Sequence, residues 1–367
     1  MRKLEVAIVA PSLDILGGHS VLARELLRGW STDADVHAWL VPINPPPPAF
    51  LRAASSIKYL RTITTEAIYM PLLVRELARA DVVHIFSASY WSFLLAPLPA
   101  MVVARALQRP FVLNYHSGEA PDHLARSRVA REAIARADHC VVPSSFLADV
   151  FQGFGLKASV VPNLISLETF RFRDRSPLRP RLLSTRALGY PYNVACTLRA
   201  FGEIQAQYPN ATLTLAGTGH EAPRLRRLAA ELNLRGVSFV GRVEPDAMPA
   251  LLADHDLYIQ SPDIDNMPLS VMEAFASGLP VVSTDVGGMA TILRHGHNGL
   301  LAPRDDHHAL AAHVVWLLDH PDEARMMAAL GRASIAHYTW ATVRQEWLRV
   351  YQSVLGRQAP ALHRASA

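Results

Sequence analysis

The sequence predicts an α/β protein built from two doubly wound, Rossmann-like domains with a cleft between them. Short apolar runs alternate with segments of helical periodicity along the chain, the pattern of parallel strands covered by crossover helices. At 367 residues the chain exceeds what one hydrophobic core usually serves. A stretch near residue 170 interrupts the alternation with charge and proline, which separates two sets of strands.

Leu4 to Ala10 is an apolar run closed by Pro11, and Ser20 to Trp30 has helical spacing, so the chain opens strand, loop, helix. Asp81-Val-Val-His-Ile-Phe, Phe111-Val-Leu-Asn-Tyr and His139-Cys-Val-Val-Pro read as buried strands. Helices are expected near Ile63 to Arg79, Ser92 to Leu107 and Leu124 to Ala137, and Val160-Val-Pro-Asn closes the half. Pro45 to Pro48 mark a stiff surface loop.

Residues 1–170 form the first expected domain. Pro177, Pro180 and dense charge without apolar periodicity place a linker at 171–181. In the second domain, 182–339, strands are expected around Arg181-Leu-Leu-Ser, Ala211 to Gly217, Val237 to Gly241, Leu257 to Ser261 and Pro280 to Thr284. Helices fall at Asn193 to Tyr208, Ala222 to Leu232, Met248 to Asp254, Leu269 to Ser277 and His307 to His320. A last helix spans 340–356, and the tail 357–367 reads as disordered. In such sheets ligands bind at the carboxyl ends of the strands.

Composition is globular, half apolar and 19% charged. The longest apolar candidate, Tyr90 to Ala104, contains Pro97 and Pro99 and stops at Arg105, so it reads as buried helix rather than a membrane span. With a charge inside Leu4 to Ala10 and no signal-peptide pattern, the expected location is cytoplasmic. Cys140 and Cys196 sit in apolar runs of different halves, as reduced buried thiols do. Residues 1–180 carry 20 Lys and Arg against 15 acids, and residues 181–367 carry 16 against 17. The basic half suits an anionic acceptor or the inner face of an anionic membrane, through faces near Lys58, Arg61, Arg75 and Arg79. No nucleic-acid signature accompanies the charge.

The most informative stretch runs from Ser261 to Ser283. Asp265 lies in a loop, Met267-Pro268 lead into a helix opened by Leu269 and Ser270, and Glu273 sits inside it. Free amides at a helix start favour an anion, and flanking carboxylates accept hydrogen bonds from sugar hydroxyls. Gly17-Gly18, between the first strand and helix, lets backbone amides approach a phosphate or sugar.

Asp265-x7-Glu273 followed by Ala-Phe-Ala-Ser-Gly-Leu-Pro-Val-Val, Asp285-Val-Gly-Gly and Asn298-Gly-Leu-Leu-Ala-Pro resembles the nucleotide-sugar site of retaining glycosyltransferases of family 4, whose fold is GT-B. Leu16-Gly-Gly-His, Val142-Pro-Ser-Ser-Phe, Val161-Pro-Asn-Leu-Ile, Ala216-Gly-Thr-Gly and Phe239-Val-Gly-Arg agree, and the match runs from Gly17 to about Tyr351. The resemblance implies a C-terminal helix packed back on the N-terminal domain. It further implies transfer of a hexose-type sugar from a UDP- or GDP-sugar to a hydroxyl acceptor held mainly by the first domain. That acceptor is a glycan, a lipid or a small molecule; Ala49 to Tyr69 shows no pattern that names it.

By the same resemblance Glu273 holds the ribose, while Asp265, where the family usually has Glu, meets the donor sugar together with His116. Arg186 and the amides of Gly18, Leu269 and Ser270 hold the diphosphate, and Gly241 and Arg242 line the base pocket. Tyr192 stands where the family has Lys, and it carries no charge at neutral pH. No cofactor is expected, and no metal: Asp263-Ile-Asp265 imitates an Asp-x-Asp metal motif, but the Glu273 register accounts for Asp265. His116 is placed to pair with Glu119, whereas His84, inside an apolar run, reads as a core histidine. His307-His308 reads as a solvated helix start. Other readings are a nucleotide-sugar epimerase or hydrolase, and a non-catalytic sugar-nucleotide-binding subunit; the oligomeric state is not legible.

Overall fold

The computed structural model describes residues 2–15, 17–48 and 58–356. Leu16, the first part of the Ala49 to Tyr69 segment, the side chain of Lys58 and the 357–367 tail lie outside the described residues. The chain divides into two compact units, Met1–Pro162 with Trp340–Ala367, and Asn163–Thr339.

The first unit runs β1 Leu4–Ala10, α1 Gly18–Ser31, β2 Val36–Pro42, α2 Lys58–Leu77, β3 Val82–Ser87, α3 Tyr90–Leu95, α4 Pro97–Ala106, β4 Phe111–Tyr115, α5 Ala120–Arg126, α6 Arg128–Ala135, β5 His139–Val142, α7 Ser145–Gly153 and β6 Ser159–Val160. Its strands form a parallel sheet in the order β2-β1-β3-β4-β5-β6. Central strands such as β3 and β4 are buried along their whole length, as a sheet covered on both faces requires. The order reverses beside β1, so the loops leaving β1 and β3 flank a crevice at the carboxyl edge.

The sequence anticipates most of these elements, with four corrections, the first being α7, which the sequence reading leaves out. The single helix expected at 92–107 is two, α3 and α4, because Pro97 starts a new helix at its first position. The helix expected at 124–137 also divides: Ser127 ends α5, and its hydroxyl caps α6 by accepting from the Ala130 amide at 3.1 Å. Strand β2 lacks the apolar density that marks the others, and only Val36 and Val41 are fully buried in it.

The second unit runs β7 Arg181–Ser184, α8 Val194–Gln207, β8 Thr212–Ala216, α9 Ala222–Glu231, β9 Val237–Gly241, α10 Met248–Ala253, β10 Leu257–Ile259, α11 Leu269–Ala276, β11 Val281–Thr284, β12 Leu300–Ala302, α12 His307–Asp319 and α13 Pro321–Ser334. The sheet is parallel, in the order β12-β11-β10-β7-β8-β9, and its reversal falls between β7 and β10. The chain loops leaving those two strands therefore meet where doubly wound sheets bind ligands. β12 and α13 are absent from the sequence reading; β12 is only three residues long.

The stretch expected as a linker is part of this second unit. Asp256 is fully buried and is held by three arginines of that stretch: Arg179 Nε at 2.7 Å, Arg175 Nε at 3.9 Å, and Arg173. Arg175 also donates to the carbonyls of His255, Ser277 and Leu252. Ile165 and Phe170 already lie in the core beside Val271 and Phe275, so the change of unit comes at Pro162–Asn163. Charge density at 171–181 signals a clamp here, because buried arginines need a buried anion.

Helix α14, Trp340–Gly356, belongs to the first unit. Trp340 meets Trp30 edge-on with ring centroids 4.6 Å apart, and Gly29 leaves room for the Trp340 ring, which any Cβ there would strike. Arg344 is ion-paired with Asp33 and, at 2.7 Å, with Asp35. Cys140 and Cys196 are free, buried thiols in different units, and burial raises the pKa of both. Among the described residues no helix is long and apolar enough to cross a membrane.

Candidate functional site

In the second unit the carboxyl ends of β7 and β10 converge on Arg186. Its guanidinium donates to Asp265 Oδ2 at 2.6 Å and to Ser270 Oγ at 2.8 Å, and it lies 4.2 Å above the ring centroid of Tyr192. The Arg186 and Asp265 side chains are only 10% and 13% exposed. Burial works against the guanidinium charge, yet Asp265 first, then Tyr192, Tyr258 and Glu273, raise its pKa above the ordinary arginine value. Arg186 Nε is buried and, among the described residues, has no hydrogen-bond partner. A buried N–H of this kind is costly unless an acceptor meets it.

The surroundings hold Arg186 from below and behind. Ser270 passes its hydroxyl hydrogen to Gln260 Oε1 at 3.4 Å, and Gln260 donates to Ser283 Oγ at 3.1 Å. Tyr258, fully buried, bonds Thr185 at 3.1 Å and Gln260 at 3.4 Å. Gly217 and Gly219 matter for the same loop: a Cβ on either would collide with the backbone carbonyl of Arg186 or Leu188. Ala216-Gly-Thr-Gly is thus a close backbone approach that lets the β8 loop pack on the Arg186 loop.

The Asp265 loop is braced independently. Asn163, from Val161-Pro-Asn, donates to the Met267 carbonyl at 2.8 Å, and Gly288 donates its amide to the Asp265 carbonyl at 3.2 Å. Asp263 accepts from Asn193 at 3.1 Å and pairs with Arg304 at 3.2 Å, while its amide donates to the Pro191 carbonyl at 2.9 Å. The two carboxylates of Asp263-Ile-Asp265 therefore serve different partners. Asn193, left-handed at φ 40°, caps α8 and ties the Tyr192 turn to this loop. α11 opens at Leu269 behind Pro268 with no side-chain cap. Met267 is buried and Glu273 half-buried in its second turn.

Arg186, Tyr192, Asp265 and Ser270 are thus brought into direct contact, with Met267, Pro268, Leu269 and Glu273 on the adjoining loop and helix. Tyr192 meets Arg186 through its ring face, a contact the sequence reading did not anticipate. Gly241 closes the edge strand β9, and Arg242 follows it. Gly241 has φ +75° with nothing described within 4 Å of a Cβ, and Arg242 pairs with Glu244 at 2.6 Å.

In the first unit Gly17 and Gly18 start α1, and among the described residues nothing lies within 4 Å of a Cβ placed on either. His116 follows β4 and stacks on Phe86 at 5.4 Å, with His19 edge-on at 5.4 Å. Burial, then His19 and His84, hold the His116 pKa well below the ordinary value, and burial pulls His19 to about 4. Both rings are neutral at pH 7. The expected His116–Glu119 pair is not formed: aromatic rings surround the imidazole, and Nε2 is buried without a partner among the described residues. His84 is a core histidine as read, bonded to Tyr351 at 2.8 Å and Asn114 at 3.0 Å.

Sequence reasoning missed His19, Asn193, Tyr258 and Gln260. His19 and Asn193 stood within or beside quoted motifs, whereas the last two look like ordinary strand residues. Among the described residues one group of three side chains could share a metal ion: Glu203, His307 and His308. Glu203 already pairs with His308 at 2.6 Å, and this group includes neither Asp263 nor Asp265.

Models of two glycosyltransferase families match consecutive parts of the chain, Glycosyltransferase Family 4 over residues 5–169 and Glycosyl transferases group 1 over 168–334. The chain is a family 4 glycosyltransferase with the GT-B fold. This glycosyltransferase is 29% identical to a glycogen synthase of Mycobacterium tuberculosis over 290 residues, 74% of this chain and 69% of that protein. It is 25% identical to a phosphatidyl-myo-inositol mannosyltransferase of the same organism over 300 residues, 76% and 75% of the two chains. The crystal structure of Anabaena HepE in complex with UDP-glucose aligns with a TM-score of 0.77 at 18% identity, covering 95% of this chain and all of that one.

Proposed function

We propose that this glycosyltransferase moves a hexose-type sugar from a UDP- or GDP-sugar to a hydroxyl acceptor with retention of configuration and without a metal ion. The observation that carries the donor part is the guanidinium of Arg186, buried and fixed on three sides, with one N–H unmet and the start of α11 beside it. Such a group suits a diphosphate, which takes charge-assisted hydrogen bonds and gains charge as the sugar leaves. Glu273 takes the ribose, Asp265 and His116 the donor sugar, and the Leu269, Ser270 and Gly18 amides the phosphates. Gly241 and Arg242 are assigned to the base.

In this reading the departing diphosphate itself receives the proton of the incoming hydroxyl on the same face of the sugar. The protein contributes position and electrostatic stabilisation. A neutral His116 is suited to hydrogen-bonding a sugar hydroxyl, with no charge to desolvate. Tyr192 replaces the charge of a lysine with a ring that orients Arg186. UDP-glucose bound to HepE makes UDP-sugars the first donors to test.

A thermal-shift screen of UDP-, GDP- and ADP-sugars, with and without EDTA, tests the donor. One base is expected to raise the melting temperature in both conditions, because a ligand that binds only the folded state stabilises it. No shift with any nucleotide sugar, or a shift abolished by EDTA, would sink the respective part of the proposal. Anomeric NMR of the product formed on a glycan or lipid acceptor decides retention.

A further inference from the structure

Helices α8 and α12 pack together in the second unit, with Ala200, Phe201 and Ile204 of the one and Leu310, Ala311 and Val314 of the other in a shared core. Beside that core, three metal-ligating side chains converge. His308 Nδ1 lies 2.6 Å from Glu203 Oε1, and His307 Nε2 lies 3.6 Å from the same oxygen. The three ligand atoms all lie within 4.8 Å of one another, and the two imidazole centroids are 4.1 Å apart. The His307-His308 pair, which the sequence presents as a solvated helix start, thus faces a carboxylate carried by a different helix. Because the packed core fixes both helices, the three groups are held near one another before any ion arrives.

Distance and ligand type select the ion. Around a tetrahedral zinc ion, with Zn–N and Zn–O bonds of about 2.0–2.2 Å, neighbouring ligand atoms stand roughly 3.3 Å apart. The His307 separation is already close to that value. His308, whose side chain is 75% exposed, has to withdraw by about 0.7 Å to reach it. Binding then releases the proton held between His308 Nδ1 and Glu203, as coordination by histidine requires. Two imidazoles and one carboxylate suit zinc, whereas magnesium and calcium take oxygen ligands. The dipole at the start of α12 opposes a cation, but Asp306 stands ahead of the histidines and accepts from the Ala309 amide at 2.9 Å, which offsets it. We propose that Glu203, His307 and His308 bind one zinc ion, with water in the fourth position, and that the ion clamps α8 to α12. Arg186 and the two carboxylates of Asp263-Ile-Asp265 are not among the ligands, so the inference is independent of the donor reading.

The test is isothermal titration calorimetry of the untagged full chain, stripped with EDTA, against zinc chloride and separately against magnesium chloride. One zinc ion per chain is expected, with a Kd below about 100 µM and a heat that changes with the ionisation enthalpy of the buffer, as proton release demands. Magnesium should give no binding heat. Zinc at about a hundredfold excess over Kd should raise the melting temperature by about 5 °C or more, and EDTA should reverse the rise. Glu203→Gln and His307→Gln should each weaken zinc binding at least about tenfold. Neither side chain is buried, so circular dichroism and the zinc-free melting temperature should match wild type. His308→Gln, at the most exposed ligand of the three, repeats the test should either variant fail to fold. No zinc binding at about 100 µM overturns the proposal. So does unchanged affinity in these variants, which would move the ion to other histidines of the chain, or one zinc per two chains with a dimer in light scattering, which would place the ion between copies.

Discussion

Replacing Arg186 by Leu should weaken nucleotide diphosphate binding by more than the loss of its own contacts. One charge-assisted hydrogen bond to a phosphate oxygen contributes about 1.5–3 kcal/mol. Asp265, 2.6 Å from the guanidinium and 13% exposed, would then be an unneutralised anion facing an anionic ligand. At an effective dielectric constant of about 20, like charges about 5 Å apart repel by roughly 3 kcal/mol. Together these predict that Arg186→Leu raises the Kd for UDP or GDP by at least about 100-fold. Adding Asp265→Asn removes the repulsion and should restore about tenfold or more of the affinity. Asp265→Asn alone should leave nucleotide affinity unchanged or tighter, because it frees Arg186 from its partner. Isothermal titration calorimetry of the four proteins gives the double-mutant cycle. Additive effects, or Arg186→Leu within about threefold of wild type, would refute the assignment of Arg186 to the diphosphate.

Tyr192→Lys should lower the melting temperature, since it trades a cation–π contact of about 1 kcal/mol for like charges, while tightening diphosphate binding; calorimetry and a melt read both. Asp256→Ala leaves Arg175, 1% exposed, without its counter-ion and should cost about 3–5 kcal/mol in urea unfolding. Burial pulls His84 to about 3, below its unfolded value of about 6.5. Its contribution to stability is therefore full above pH 6.5 and lost as pH falls toward 3. This group alone should cost about 2 kcal/mol between pH 6.5 and 4.5, and His84→Gln should flatten that dependence in urea titrations.

The alternation of apolar runs was enough to read two doubly wound sheets, because strands buried on both faces have nearly uniform apolar composition. It faltered where burial is partial, as at β2, or brief, as at β12. The expected linker failed for a different reason. Arginine density looks solvated in a sequence, and only the position of Asp256, some 80 residues on, reveals that three of those arginines face inward.

The candidate site divides the same way. The run from Asp265 to Glu273 and the glycine motifs are local, so spacing alone identified a helix start suited to an anion and the residues around it. That Tyr192 supports Arg186 by its ring, that Asp265 neutralises it, and that Gly217 and Gly219 make room for its loop are decisions of the tertiary structure. The Asp265 contact needs β7 beside β10 at the reversal of the sheet, the glycine approach needs β7 beside β8, and the Tyr192 contact needs the turn after β7 to fold back on Arg186. The sequence alone determined which chemical groups are present and which elements carry them. Folding decided which of those groups touch, because contacts between residues about 80 positions apart, such as those of Arg186 with Asp265 and Ser270, are set by sheet order and leave no periodic trace in the chain.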